Sequence, residues 1–129
     1  MTFADYPRRD PGGQFFANTA FQWNLRNHRF NVTFDRANSW VRPNAVGNQQ
    51  LERHEQYHLK LACAIADIAN GMLARGDDER TVTGQLRNTL AVATQMYDAA
   101  TNHGTLTLQQ ALMEQAIDAG QVMMTPPTP

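Results

Sequence analysis

Two histidines four residues apart, His54 and His58 in "LERHEQYHLK" (51–60), are the side chains of this chain best placed to do chemistry. On a helix, residues i and i+4 stand one turn apart on one face, so both imidazoles can reach a single tetrahedral ion. Glu55 lies about 100° round the helix from His54. It is badly placed to be a third ligand and well placed to hold a water in an open metal position. Two ligands and an adjacent base form the division of labour of a hydrolytic H-E-x-x-H zinc site. By chance the pattern would occur in roughly four sequences per thousand of this length and composition, so its surroundings must decide. The competing reading is an ordinary helix with two hydrogen-bonded histidines.

The surroundings favour a metal. Leu51, His54, His58, Leu61, Ala62, Ile65, Ile68 and Met72 recur at intervals of three and four, which predicts a helix over about 48–72 with both histidines on its apolar face. A buried neutral imidazole needs a partner, and one metal ion satisfies two rings. The third ligand must come from elsewhere, because "LKLACAIADIAN" after His58 contains no further histidine. The second helix offers only Glu79, at its start, and His28 falls in a predicted turn, where an exposed polar residue is the ordinary expectation. His103, in "YDAATNHG" (97–104), lies at the far end of the second helix, on or beside its buried side. If the first two helices pack antiparallel, His103 approaches His54 and His58. Its alternative role is a C-terminal histidine interacting with the helix dipole.

Elements able to hold these groups can be read along the chain. Phe21, Trp23 and Leu25, then Phe30, Val32 and Phe34, alternate with polar residues on either side of Arg26 to Arg29, the pattern of a hairpin with one buried face. "DRANSWVRPNAVGNQQ" continues as an extended connection in which Trp40 and Val41 pack inward. A second helix is predicted over about 78–102, with Leu86, Leu90, Ala93, Tyr97 and Ala100 in line and Gly104 as a left-handed cap. A third, over about 107–119, carries Leu108, Ala111, Leu112, Ala116 and Ala119 along one face. The fold expected is α+β: an N-terminal antiparallel hairpin or small sheet, then three helices. It forms one domain over 1–129, with an arm over 1–12, a catalytic body over 13–122 and a mobile tail over 123–129. Met123 and Met124 lie at the chain end before "TPPTP" and are read as tail or edge packing, not as a methionine turn beneath a metal.

Composition excludes several classes. Apolar residues make up 42% and charged residues 18% of the chain, with a net charge of −1, values of a folded domain and not of a disordered one. No basic block or basic-aromatic interleaving supports nucleic-acid binding. No apolar run reaches membrane-spanning length, and "MTFADYPRRDPGG" lacks the core of a signal peptide. A soluble protein is expected, cytoplasmic or exported by a specialised route. Cys63 is the single cysteine, so no internal disulfide forms, and its alanine neighbours suit a small buried side chain.

The order of motifs resembles a family of bacterial zinc-dependent proteases long filed as a domain of unknown function. The matching stretches are "FANTAFQW" (16–23), "SWV" (39–41), "HEQYH" (54–58) and "YDAATNHG" (97–104), and the likeness spans roughly residues 13–120. The resemblance implies His54, His58 and His103 as zinc ligands and Glu55 as general base. Tyr97 and Asp98 belong to the same signature. Tyr97 could donate to an oxyanion or be a core tyrosine, and Asp98 could orient a ligand histidine or be an ordinary exposed aspartate. The chain departs from the family at "LKLA" after His58 and at Met113, positions that bear on substrate preference. The function expected is a zinc metallopeptidase acting on a peptide or protein substrate. The alternative is a zinc-stabilised structural or binding module, in which Asp98 or Glu52 would close the coordination as a fourth ligand.

Overall fold

The computed structural model, which describes residues 1–125, has an α+β fold. Its elements follow in the order β1 (Ala17–Asn18), β2 (Phe21–Arg26), β3 (Arg29–Phe34), β4 (Trp40–Val41), α1 (Gln49–Ala74), α2 (Glu79–Thr101) and α3 (Thr107–Asp118). β2 pairs antiparallel with β3, and β1 with β4. The hairpin turns on Asn27 and His28, both left-handed at φ 53° and 58°, as a tight turn between right-twisted strands requires. Arg26 and Arg29 therefore remain in the strands, paired with each other, and the break is shorter than the polar run implied. His28 Nδ1 lies 2.6 Å from Glu79 Oε2 and ties the turn to the start of α2.

α1 is the element the others pack on. Asn48 caps it by accepting the Leu51 N–H, and Asp78 caps α2 by accepting the Thr81 N–H. The apolar stripe of α1 is buried as expected: Leu61, Ile65 and Ala69 meet Leu86 and Leu90 of α2, Ile117 of α3 and Phe30 of β3. Full burial of each large side chain stabilises the fold by about 1.5–3 kcal/mol. A short connection after Ala74 leads into α2, whose far end returns to the start of α1, so the two helices run antiparallel.

Three features differ from the sequence pattern. The leucine face of α3 points outward, with Leu108 and Leu112 at 66% and 56% exposure, while Gln110, Glu114 and Ile117 are buried. The cause is polar: Gln110 and Glu114 carry hydrogen bonds that the first helix and Tyr97 require (below). The N-terminal stretch is no free arm. A single 3₁₀ turn over Phe3–Asp5, with a Thr2/Asp5 capping box, sets Phe3 and Tyr6 into a second cluster with Ala17, Val41 and Ala45. Backbone bonds from Val41 N–H to Pro7 O and from Arg9 N–H to Val41 O fasten it along β4. Finally, α2 ends in three successive left-handed residues, Asn102, His103 and Gly104, not in Gly104 alone. Of the expected tail, Met123 is exposed, Met124 packs against the main core and Thr125 N–H donates to Thr89 Oγ1. Residues 126–129 lie outside the described residues.

Candidate metal centre

His54 and His58 project from the first turns of α1 and are 1% and 9% exposed. Their Nε2 atoms converge on one atom, Asp98 Oδ1 near the end of α2, at 2.9 and 2.8 Å. The rings stand nearly perpendicular, with centroids 4.9 Å apart. Among the described residues, His54, His58 and Asp98 form the one group of His, Cys, Asp or Glu side chains that could hold a metal ion, with ligand atoms all within 4.8 Å of one another.

Hydrogen bonds behind His54 decide which of its nitrogens carries a proton. Gln110 Nε2 donates to Tyr97 Oη (2.7 Å) and to Glu114 Oε2 (3.1 Å). Tyr97 Oη itself donates to the His54 carbonyl at 2.8 Å. The amide orientation is thereby fixed, so Gln110 Oε1 is the group that meets His54 Nδ1, at 2.9 Å. Nδ1 must hold a hydrogen to bond there. In the neutral ring Nε2 is then a bare lone pair aimed at a carboxylate oxygen, an arrangement that needs a cation between the two. A proton on the imidazole is one solution. Burial opposes it, but hydrogen bonds to Asp98 and Gln110 outweigh burial and raise the His54 pKa. For Asp98, likewise, burial is outweighed by the two histidines, which hold its carboxyl well below the usual range. A metal ion is the other solution. Two imidazole nitrogens and one carboxylate oxygen suit zinc, and ligands about 2.1 Å from a tetrahedral ion stand about 3.4 Å apart. Asp98 Oδ1 would have to draw back from each nitrogen by only about half an ångström, and all three ligand atoms already lie within 4.8 Å of one another, so the residues fit the group.

The centre is shaped by close packing. The Tyr97 ring stacks on His54 at 4.5 Å and meets His58 edge-on at 4.9 Å. Gly104, at φ +87°, lies so close that a Cβ there would fall 2.6 Å from His54 Cβ. Thr101 Oγ1 accepts the Gly104 N–H (3.2 Å) and donates to the Tyr97 carbonyl (2.8 Å), locking the left-handed turn to α2.

Glu55 is 5% exposed and lines the same cleft, of about 940 Å³, as His54, His58 and Asp98. Burial pushes its pKa up, against the neighbouring His58 and His54 and a hydrogen bond from Thr19. That bond, Thr19 Oγ1 to Glu55 Oε2, is 3.1 Å long. Tyr6 Oη lies 2.5 Å from the same Thr19 oxygen. Because the threonine hydrogen goes to the carboxylate, the tyrosine is the donor. The chain Tyr6–Thr19–Glu55 thus runs from the N-terminal stretch to the proposed base.

The expected site residues fall out as follows. The structure brings together His54, His58 and Asp98, with Glu55 on the same cleft wall. His103 also lines the cleft, but its side chain is half exposed, its ring touches Phe15, and its Nδ1 is 3.7 Å from Asp98 Oδ1. Asp98, read from the sequence as a possible orienting carboxylate, contacts both histidines directly. Tyr97 is fully buried, with its hydroxyl spent on His54 O and Gln110. Gln110 escaped the sequence reading, while Gly104 was read only as a helix cap and Thr101 and Thr19 only as members of the stretches 97–104 and 16–23. The only trace of Gln110 is its i, i+4 spacing from Glu114 on one side of α3. Comparison with known proteins adds no relative: no family model, no curated protein and no solved structure matches the chain.

Proposed function

We propose that the protein is a zinc-dependent metallopeptidase in which His54 Nε2, His58 Nε2 and Asp98 Oδ1 hold the ion. The observation that carries this reading is the convergence of those three atoms beside a buried carboxylate, Glu55, on the wall of an open cleft. Asp98 is assigned the third position because it touches both rings, whereas His103 stands at the rim. When bound, zinc supplies a Lewis acid for the substrate carbonyl and lowers the pKa of a water. The Glu55 carboxylate would take a proton from a water attacking the peptide carbonyl and deliver it to the amide nitrogen as the C–N bond breaks. Thr19 keeps the carboxylate directed into the cleft. Among the described residues β1 is paired with β4 alone, so its other side is the edge to which an extended peptide or protein segment would add.

Metal analysis with single variants tests the proposal. One zinc per chain is expected in the wild type, lost in His54→Ala and Asp98→Ala. Glu55→Gln is expected to keep zinc and lose peptide hydrolysis by at least about 100-fold. A zinc-free wild type, or a Glu55→Gln protein that still cuts peptides, overturns it. The second reading, a zinc-fastened module that hydrolyses nothing, draws on His103, whose ring is near enough to Asp98 to close the coordination as a fourth ligand. Unchanged zinc affinity in His103→Ala supports the open, catalytic site. A fall of about tenfold or more supports the closed one.

A further inference from the structure

Phe15 and Phe16 are 46% and 49% exposed, and among the described residues neither belongs to a hydrophobic cluster of the fold. Two adjacent phenylalanines held partly in water gain the fold little, and such exposed apolar surface marks a place where something binds. Both line the cleft of the metal centre, together with Trp40 and Leu51. Their rings are already held in place. Phe15 meets the His103 ring edge-on at 5.2 Å, and Phe16 lies beneath the Arg42 guanidinium at 5.0 Å.

Charge narrows the occupant further. Among the described residues, Glu55 and Asp98 are the only Asp, Glu, Lys or Arg side chains on the cleft wall. Asp98 is engaged by two histidines and Glu55 by Thr19. Arg42, which covers Phe16 at the edge of the wall, is committed to Gly13 O and Asp10, and no free carboxylate stands on the wall for a basic side chain. A charged side chain brought into such a cleft loses water and meets no uncommitted Asp, Glu, Lys or Arg among the described residues. β1 follows directly on Phe16, pairs among the described residues with β4 alone, and lines the same cleft through Ala17 and Asn18. A strand added there presents alternate side chains to the same wall.

We infer that the substrate class of this site is an extended peptide that offers a bulky, uncharged apolar side chain, aromatic or long aliphatic, to Phe15, Phe16 and Trp40. The identity of the ligand as a peptide rests on the peptidase reading, and the apolar preference rests on the cleft wall.

Trp40 gives a readout that needs no catalysis, since it lines the cleft while the other tryptophan, Trp23, packs in the hairpin against Phe30. The zinc-loaded Glu55→Gln protein, full length, is titrated by fluorescence with acetylated and amidated pentapeptides Gly-Gly-X-Gly-Gly, where X is Phe, Leu, Lys or Glu. The Phe and Leu peptides are expected to bind about tenfold or more tightly than the Lys and Glu peptides. The Phe15→Ser, Phe16→Ser double variant, whose changes lie on exposed positions, is expected to lose that preference while keeping its zinc. Equal binding of all four, tighter binding of a charged peptide, no binding up to millimolar concentration, or an unchanged preference in the double variant overturns the inference. Cleavage of the same peptides by the wild type is scored separately. Preference without cleavage removes the peptidase reading and leaves the apolar subsite standing; cleavage without preference does the reverse.

Discussion

Gln110 has no freedom to turn over. Both hydrogens of its amide are committed, to Tyr97 and to Glu114, and its oxygen alone meets His54 Nδ1. Leucine at this position would leave His54 free to carry its hydrogen on Nε2, the atom that would meet the proposed metal. Gln110→Leu is therefore expected to weaken zinc binding by about 10–100-fold with helix content unchanged, measured by competition with a chromophoric chelator. Gly104 acts on the same ring from the other side. A methyl group there collides with His54 Cβ on a left-handed backbone, so Gly104→Ala should cost more than about 1 kcal/mol in urea denaturation and lower zinc affinity as well. His54, Glu55 and His58 are legible in the sequence because one helix carries them at fixed spacing. Asp98 is legible only as a carboxylate beside a buried tyrosine, and nothing local distinguishes a ligand from its support. Gln110 is not legible, because apolar periodicity records burial of hydrocarbon and a buried amide leaves no mark in it.

α3 shows what that blindness does to a whole element. Its leucines suggest one inward face, yet the inward side is the one carrying Gln110 and Glu114, and Arg53 of α1 reaches Glu114 from outside. A helix supporting a polar centre must bury polar groups, and the leucines are left over. Leu108→Gln and Leu112→Gln are accordingly expected to change stability by no more than about 0.5 kcal/mol, whereas Leu86→Ala in α2 should cost about 2–5 kcal/mol; urea titrations of the three variants decide. Elements that hydrocarbon does govern are readable: strict alternation marks β2 and β3, and the stripe from Leu61 to Met72 marks α1. The hairpin also carries a pH-dependent clip. The hydrogen bond to Glu79 raises the pKa of His28 above 6.5. The contact is thus complete below the free histidine value and lost as pH rises through the raised one. An NMR titration should find the His28 pKa lowered in Glu79→Gln relative to the wild type; an unmoved value would refute the clip.

At the scale of the molecule, two hydrophobic clusters support different parts of the proposed chemistry. The larger one fixes α1 against α2 and α3, and with it the histidines and Asp98. The smaller one, built on Phe3 and Tyr6, fixes β1 and β4 and holds Thr19 against Glu55. Tyr6→Phe removes the donor behind Thr19 while keeping the ring, and is expected to reduce hydrolysis at constant zinc content with a stability loss of about 1 kcal/mol. Deleting residues 1–9 should lower the melting temperature by several degrees, because it uncovers Ala17, Val41 and Ala45.

The Tyr6–Thr19–Glu55 chain and the Gln110–His54 bond have a joint consequence for truncation. Tyr6 lies near one end of the described residues and Gln110 near the other. A proteolysed chain lacking the later part keeps both histidines and Asp98, but nothing in it selects the His54 tautomer. One lacking the earlier part keeps the same three residues, but Glu55 loses the tether through Thr19. A cut that spares His54, His58 and Asp98 is therefore expected to disable the proposed centre all the same.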